Sequence, residues 1–471
     1  MSTTAHIVAA LVTIVSGSLA VAQNRSRLRE LPLFPIELFD PPALATRVMA
    51  EITPASIHGH VVHLANFGTR HTLSETESQT RGIGAARRWI KARFERFSAD
   101  GGDTLDVSFE RFEQSPMRRV PEAAELVNVV AVLRGSMPEA AGRLYYVIGH
   151  YDSRNGDGMD AEGDAPGAND DASGTAVVLE LARVLAGERL DATVVFMATA
   201  GEEQGLLGAR HHAERALARG ADIRGVLSND IVGDPSGPAL ADGTAREARG
   251  LIRVMSEGIP RDGSAEELGR IRSLSGESDS TSRQLARFIA EVAELHGTAV
   301  RPMLVFRPDR FLRGGDHTAF NQHGYAAVRF TEVYEDYSRQ HQDIRQVDGR
   351  AYGDVAEYVD AGYLADVARL NAAAIVHLAN APSVPGNARI ITARLANDTT
   401  LRWEASPEPD TAGYEIVWRQ TTSPVWTDSV DVGNVTEYTI ELSKDNHFFG
   451  VRAYDGEGYK SPVAFPVAAR R

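Results

Sequence analysis

Short runs of apolar and β-branched residues alternate with helical patterns in the first half of the chain, and this alternation limits the possible folds more than any other feature. Four runs have the length and composition of buried strands: residues 126–133, 144–148, 193–198 and 226–227. Residues 175–185, between two of these runs, have helical spacing. Because strands that alternate with helices form mainly parallel sheets, we predict an α/β fold with a largely parallel or mixed central sheet flanked by helices.

Longer helical patterns follow or precede these strands. They predict helices that cover the sheet at residues 83–97, 281–294 and 355–378. Residues 264–282 are rich in Ser and Glu, so we predict a loop there.

The length of 471 residues exceeds what one hydrophobic core usually serves, so we expect two folded domains. Proline, serine and glycine at residues 381–387 mark a linker between them. We predict the large α/β domain at residues 52–380 and a small all-β sandwich at residues 388–471, where only short alternating segments occur.

The C-terminal region resembles a fibronectin type III domain. The resemblance lies in the segments Thr400-Leu-Arg-Trp403, Gly413-Tyr-Glu-Ile-Val-Trp418 and Phe448-Phe-Gly-Val-Arg-Ala-Tyr454. Alternation with turn residues between strands also fits other small sandwiches, which stay open as alternatives. For this domain we expect a binding or spacing role, with a protein or polysaccharide surface as partner.

The N-terminus has the pattern of a signal peptide. An apolar run at residues 7–22 ends in Ala20-Val21-Ala22, a small-x-small cleavage pattern. We predict a signal peptide at residues 1–22, cleaved after Ala22, a connector at residues 23–51, and a secreted or periplasmic protein. The first residues carry no Lys or Arg, so an uncleaved membrane anchor is the alternative. No later segment is long enough to span a membrane, and without cysteine no disulfide forms.

The chain is acidic, with 64 Asp and Glu against 49 Lys and Arg and a net charge of -15. This charge repels a phosphate backbone and an anionic lipid surface. Nucleic acid is therefore excluded as an expected partner.

Acidic residues and a histidine stand directly after the predicted strands. His150 and Asp152 follow the second strand, Glu202 and Glu203 follow the third, and Asp230 follows the fourth. Ligands of open α/β sheets collect at the carboxyl ends of the strands, so these side chains are expected to converge.

A glycine-bounded loop, Gly167-Ala-Asn-Asp170-Asp-Ala-Ser-Gly174, brings further carboxylates to this edge. Carboxylates that lie close together raise one another's pKa unless a cation lies among them. Carboxylates combined with imidazoles are a ligand set that zinc accepts, so the sequence predicts a zinc site.

Four motifs at these positions resemble the co-catalytic zinc aminopeptidase family, which also contains glutamate carboxypeptidase II and glutaminyl cyclase. The motifs are Gly149-His150-Tyr-Asp152-Ser, the loop around Asp170, Gly201-Glu202-Glu203-Gln-Gly205 and Ser228-Asn-Asp230. The match extends over roughly residues 52–378 and includes Gly315-Asp316-His317 and residues 337–343.

The resemblance implies two zinc ions per chain. Asp170 would bridge them, His150 and Asp230 would bind one ion, and Glu203 and His341 would bind the other. His317 and His323 compete with His341 for its role, which the order of the family motifs gives to His341.

The resemblance also implies the catalytic groups. Glu202 would be the general base for a water whose pKa the two zinc ions lower. Asp152 would fix the tautomer and orientation of an imidazole ligand. Relatives often present a tyrosine hydroxyl to the scissile carbonyl, and Tyr337 is the candidate here.

These features predict a secreted aminopeptidase that hydrolyses N-terminal residues from peptide or protein substrates. A carboxypeptidase acting on acidic C-termini is the main alternative, because four arginines precede Gly314: Arg301, Arg307, Arg310 and Arg313. A glutaminyl-cyclase-like acyltransferase would need only one zinc ion. A non-catalytic protein that binds a surface is a further alternative, but such a protein would not need a general base such as Glu202.

The acidic loop before Asp170 suggests a further cation. Its carboxylates, those of Asp157, Asp160, Glu162 and Asp164, stand among glycines, a composition that suits calcium. A solvated acidic loop is the alternative.

Overall fold

The computed structural model describes residues 40–470. Its centre is a mixed sheet of eight strands in the order β1-β2-β4-β3-β5-β10-β8-β9. These strands are β1 (Leu105–Gln114), β2 (Ala124–Leu133), β3 (Arg143–His150), β4 (Thr193–Thr199), β5 (Asp222–Asn229), β8 (Leu251–Ser256), β9 (Arg301–Val305) and β10 (Ala327–Thr331). The four central strands β4, β3, β5 and β10 are parallel. On one side β2 runs antiparallel to β4 and β1 antiparallel to β2, and on the other side β8 runs antiparallel to β10 and β9 parallel to β8. The predicted α/β fold with a mixed central sheet is confirmed.

Nine α-helices accompany the strands in the described residues. They are α1 (Ala43–Glu51), α2 (Pro54–Ala65), α3 (Gly82–Asp100), α4 (Ala172–Leu185), α5 (Leu207–Ala218), α6 (Ala265–Ser273), α7 (Thr281–His296), α8 (Asp316–Asn321) and α9 (Ala361–Asn380). Two short hairpins lie outside the central sheet: β6 (Ser236–Gly237) with β7 (Arg246–Glu247), and β11 (Arg345–Val347) with β12 (Arg350–Tyr352).

Both faces of the central sheet are buried, which explains the continuous apolar runs in the sequence. Successive residues of β3 and β4 alternate between two hydrophobic cores: Tyr145 and Val147 contribute to the larger core, and Tyr146 and Ile148 to the smaller one. Helices α2, α4, α7 and α9 add to the larger core. The smaller core includes Ala209, Ala213 and Ala216 of α5 and Ala319 and Phe320 of α8.

The prediction of a loop at residues 264–282 is wrong, because α6 occupies residues Ala265–Ser273. The hydroxyl of Ser264 caps this helix by accepting a hydrogen bond from the N–H of Glu267. Acidic residues occupy its first turn and arginines its last turn. These charges stabilise the helix because they interact favourably with the helix dipole. None of its residues is buried, so the sequence has no apolar stripe there that would indicate a helix.

The predicted helix at residues 355–378 begins later, at Ala361. The carboxylate of Asp360 accepts a hydrogen bond from the N–H of Tyr363 and sets this start. Only a single 3₁₀ turn, Ala356–Tyr358, precedes it.

The predicted signal peptide at residues 1–22 lies outside the described residues. The end of the predicted connector at residues 23–51 is helical, and Ala45 and Val48 of α1 are buried in the larger core. Within residues 40–470, no helix is both long and apolar enough to cross a membrane.

The C-terminal region folds into two sheets, one of four strands in the order β17-β14-β13-β19 and one of three in the order β16-β15-β18. The strands are β13 (Gly386–Ile391), β14 (Thr399–Glu404), β15 (Thr411–Gln420), β16 (Asp428–Gly433), β17 (Glu437–Ile440), β18 (His447–Asp455) and β19 (Val467–Ala469). Trp403, Tyr414 and Phe449 lie in a shared apolar core. The all-β character is as predicted, β13 begins within the predicted linker, and the fibronectin type III assignment stays a prediction.

Candidate metal centre and catalytic cleft

The parallel strands β3, β4 and β5 end at one edge of the sheet and bring the predicted residues together. His150 is the last residue of β3 and pairs with Thr199 at the end of β4. Asp230 directly follows β5, which pairs with β3 on its other side. Glu203 lies in the turn between β4 and α5.

The loop that carries Asp170 is tied to both neighbouring strand ends by Asp171. The Asp171 carboxylate accepts hydrogen bonds from the N–H groups of Gly174, His150 and Ile231, at 2.9, 3.0 and 3.3 Å. It thereby caps α4 and joins that helix to the ends of β3 and β5. The peptide bond between Asp170 and Asp171 is cis.

The first group of potential ligands consists of His150, Asp170 and Asp230, whose ligand atoms lie within 4.8 Å of one another. Nε2 of His150 is 3.2 Å from Oδ1 of Asp170 and 3.8 Å from Oδ1 of Asp230. All three side chains are buried.

The second group consists of Asp170, Glu203 and His341, again within 4.8 Å. Nε2 of His341 lies 2.9 Å from Oδ2 of Asp170 and 2.9 Å from Oε1 of Glu203. Asp170 thus presents Oδ1 to His150 and Oδ2 to His341. One carboxylate faces both groups.

The donor set fits a divalent metal. Nε2 of His150 is buried and has no hydrogen-bond partner among the described residues, although it points between two carboxylates. Such a buried, unpaired nitrogen is costly unless another species binds it. Imidazole nitrogens together with carboxylate oxygens are ligands that zinc accepts.

Electrostatics lead to the same conclusion. Burial by itself lowers the pKa of His150, but the carboxylates around it, beginning with Asp171, raise that pKa well above its usual value. Burial raises the pKa of Asp170, whereas His341 and His150 outweigh burial and lower it well below the usual range. The centre therefore attracts positive charge, which a divalent metal ion would supply in place of protons.

Glu202 lines the same cleft but belongs to neither ligand group. Burial raises its pKa well above the usual value, and the carboxylates of Asp230 and Glu203 raise it further. A carboxyl group with a raised pKa near the metal ligands is suited to proton transfer.

Asp152 is buried behind the ligands. Its Oδ1 lies 3.5 Å from Nδ1 of His150, on the side of the ring away from the carboxylates of the first group. It accepts hydrogen bonds from the N–H groups of Glu202 and Glu203, at 3.2 and 3.1 Å, and from the hydroxyl of Thr72 at 2.9 Å. Asp152 therefore positions Thr72, Glu202 and Glu203 through hydrogen bonds, and it does not line the cleft.

Three polar residues that contact the potential ligands were not predicted from the sequence. Arg329 is fully buried in β10, and its Nη2 lies 2.9 Å from Oδ1 of Asp230. Gln340 donates to Oδ2 of Asp170 at 2.9 Å, and the carboxylate of Asp354 accepts from the N–H of Asp170 at 2.7 Å. A charged residue inside the apolar run Ala327–Thr331 was the available signal for Arg329. No local pattern marks Asp354.

The other candidates belong to neither ligand group. His317 is buried, with Nε2 at 2.7 Å from the carbonyl oxygen of Pro308, and Tyr337 is exposed and does not line the cleft. In the acidic loop, Asp160 accepts hydrogen bonds from two backbone N–H groups and from Asn155, and Asp164 pairs with Arg81. Calcium binding there stays a prediction.

The cleft above the ligands has a volume of about 370 Å³. Its lining consists of Arg119, Arg154, Asp170, Glu202, Glu203, Gly205, Leu206, Asp230, Arg310, Leu312, Arg313, Gly314, Gln340 and His341. Metal ligands, a free carboxyl group and cationic side chains thus share one open space.

An α/β sheet that gathers imidazoles and carboxylates at its strand ends, with a carboxyl group beside them, is typical of a metal-dependent hydrolase. The model of peptidase family M28 matches residues 128–361. The chain belongs to this family and is a zinc metallopeptidase.

Two relatives agree with this assignment, and a solved structure shares the fold. A probable zinc metalloprotease of Leptosphaeria maculans is 45% identical over 419 residues, covering 89% of this chain and 96% of the relative. A probable zinc metalloprotease of Pyrenophora teres f. teres is 42% identical over 433 residues, covering 91% and 88%. The crystal structure of LapB from Legionella pneumophila has the same fold, with 18% identity and a TM-score of 0.50 over 76% of this chain and 81% of that chain.

Proposed function

We propose that the protein is a two-zinc exopeptidase that removes N-terminal residues from peptides. The observation that carries this proposal is the position of Asp170, whose two oxygens face two separate ligand groups. In this proposal Asp170 would hold both ions, His150 and Asp230 would hold one of them, and Glu203 and His341 would hold the other. When bound, the two zinc ions supply Lewis-acid activation of a water molecule and of the scissile carbonyl.

Glu202 is the proposed general base. Its carboxylate takes a proton from the attacking water and then delivers that proton to the amine that leaves when the peptide C–N bond breaks. Its backbone N–H is bound by Asp152, which also holds Glu203, so base and ligand keep a fixed spacing.

The N-terminal direction of cleavage is supported by the resemblance to the co-catalytic aminopeptidases. A carboxypeptidase is the second candidate, and the arginines that line the cleft favour it because they can bind a terminal carboxylate. Export of the protein is part of the proposal, and the apolar run that ends in Ala20-Val21-Ala22 supports it.

The test measures zinc content and hydrolysis for the wild type and for Glu202→Gln. We expect two zinc ions per chain in both proteins. Because a positioned general base contributes about 10²- to 10⁴-fold, kcat for a free-amine peptide should fall by that factor in Glu202→Gln. Glu113→Gln is the matched control, since Glu113 is exposed and lies outside the cleft.

The outcomes separate the candidates. Cleavage of free-amine peptides and not of N-blocked peptides supports an aminopeptidase, whereas cleavage of blocked peptides with free acidic C-termini identifies a carboxypeptidase. Full turnover in Glu202→Gln would contradict the role of Glu202. Absence of both zinc and turnover would contradict the peptidase function and favour a non-catalytic binding protein.

A further inference from the structure

The cleft that contains the potential metal ligands is rich in arginine, although the protein has a net charge of -15. Four arginines line it: Arg119, Arg154, Arg310 and Arg313. Only two of them, Arg310 and Arg313, were among the arginines singled out in the sequence.

One of these arginines is already paired within the protein. Nη1 of Arg310 lies 2.6 Å from Glu335, and its Nε lies 3.0 Å from Asp309. Arg310 therefore has little capacity for a substrate. Nη1 of Arg313 is 3.7 Å from the same oxygen of Glu335, beyond hydrogen-bond distance.

The two arginines beside Glu203 retain donors. Arg154 Nε is buried without a hydrogen-bond partner among the described residues, and it lies 3.6 Å from Oε2 of Glu203. Arg119 donates through Nη1 to the main-chain oxygen of Glu203 at 2.6 Å, a bond that uses only one of its five N–H groups.

The carboxylates of the cleft do not balance these charges. Asp170, Glu203 and Asp230 are the proposed zinc ligands, so the ions neutralise them, and Glu202 is the remaining acid in the lining. Guanidinium groups that keep spare N–H donors in a cleft favour a ligand with a carboxylate, which a guanidinium binds through two parallel hydrogen bonds.

We propose that the cleft selects peptides that carry a carboxylate next to the scissile bond, and that Arg154 and Arg119 bind this carboxylate. Arg313 lines the same cleft and adds positive potential to it. This proposal rests on the proposed peptidase function and specifies its substrate class. The carboxylate is either an acidic side chain or the terminal α-carboxylate of a peptide.

The test compares pairs of peptides that differ only by Glu against Gln beside the scissile bond. For the wild type we expect kcat/KM to be at least about tenfold higher for the Glu peptide, since a hydrogen bond to a charged group contributes roughly a tenfold factor or more. Arg154→Gln should lower the ratio of kcat/KM for the Glu and Gln peptides by about tenfold. Arg119→Gln should lower the same ratio by a smaller factor. Turnover of the Gln peptide and zinc content are measured for each variant as well, so that the Glu/Gln ratio separates loss of carboxylate binding from a general loss at Glu203, which both arginines contact.

Arg118→Gln is the matched control, because Arg118 is exposed beside Arg119 and does not line the cleft. It should keep the wild-type ratio. Free-amine peptides with an amidated C-terminus, compared as Glu against Gln, report a side-chain carboxylate. N-blocked peptides, compared as the free C-terminal acid against the C-terminal amide, report an α-carboxylate. A preference in either series supports the proposal.

Equal kcat/KM within the peptide pairs of both series would overturn the proposal, as would a preference for the carboxylate that Arg154→Gln and Arg119→Gln leave intact. Equilibrium binding of the same peptides to zinc-loaded Glu202→Gln measures the preference without turnover. If the proposed peptidase function is wrong, the wild type will cleave none of the peptides. The ratio of binding affinities for the paired peptides would still show whether the cleft prefers a carboxylate.

Discussion

Asp354 shows how a single distant residue positions the proposed bridging ligand. Its carboxylate accepts hydrogen bonds from the N–H groups of Asn169, at 2.8 Å, and of Asp170, at 2.7 Å. Its own carbonyl oxygen accepts the N–H of Ala168 at 3.2 Å. Asp354 is buried, so these bonds have little competition from water.

We predict that Asp354→Asn weakens zinc binding by about 10- to 100-fold, the usual effect of removing a residue that orients a metal ligand. The amide has only one oxygen, so one acceptor is replaced by an N–H group that faces other N–H donors. Zinc retention against a graded chelator series measures the loss.

Asp366→Asn is the control for this change. Asp366 pairs with Arg369 on the same helix, at 2.6 Å, away from the ligands. Wild-type zinc affinity in Asp354→Asn would contradict the positioning role, and a similar loss in the control would show a general effect of the substitution.

At the scale of the element, the close contact between α4 and the end of β5 depends on Gly174. A methyl group at this position would lie 2.1 Å from the carbonyl oxygen of Asn229 and 2.5 Å from the carboxylate oxygens of Asp171. The first turn of α4 can approach β5 only because the side chain is absent. The loop that contains Asp170 and Asp171 leads directly into this turn.

Gly174→Ala should therefore displace the first turn of α4 and lower the free energy of unfolding by about 1–3 kcal/mol, the usual cost of overpacking a core. Zinc binding should weaken with it. Chemical denaturation of the zinc-loaded protein measures the first effect, and the metal content of the purified variant measures the second.

Gly59→Ala provides a matched control in another helix. A methyl group there has no atom within 4 Å, and Gly59 is exposed in α2. Because alanine favours helices by up to about 1 kcal/mol over glycine, this variant should be slightly more stable than wild type. Equal effects of the two substitutions would refute the steric argument.

At the same scale, α6 and α4 differ in how well the sequence predicts them. The helix α4 is buried on nearly every residue, and its apolar residues predicted it directly. The exposed helix α6 is stabilised by its Ser264 cap and its end charges, which apolar periodicity does not detect. The sequence signal for α6 is Ser264 followed three residues later by Glu267, the pattern of a capping box.

At the scale of the whole molecule, the C-terminal sheets pack against the peptidase domain through a buried ion cluster. Oδ2 of Asp279 lies 2.7 Å from Arg419 of β15, and its Oδ1 lies 3.2 Å from Arg287 of α7. Nearby, Trp426 donates to Gln284 at 3.0 Å. These contacts join residues from both parts of the chain away from solvent.

We predict that Asp279→Ala lowers the free energy of unfolding by about 3–5 kcal/mol, because it leaves two buried guanidinium groups without their shared carboxylate. Denaturant unfolding followed by tryptophan fluorescence measures the change. The exposed pair of Arg402 and Glu437 provides the control, and Arg402→Gln should cost less than about 1 kcal/mol. A loss for Asp279→Ala no larger than for this control would show that the cluster contributes little.

The sequence by itself determined the peptidase core and the residues at its strand ends. Continuous apolar runs predicted strands buried on both faces, and the parallel topology then required His150, Glu203 and Asp230 to meet at one edge. These inferences succeed because they depend on local periodicity and on one general rule of sheet topology. The roles of the ligands came from the family motifs.

Only the tertiary structure decided which distant side chains surround this edge. Asp354 reaches Asp170 across a separation of 184 residues, and Arg419 reaches Asp279 across 140. The arginines of the cleft come from separate loops, and their availability depends on which acids already pair with them. Such contacts depend on how the elements pack, and neighbouring residues in the sequence do not encode that packing.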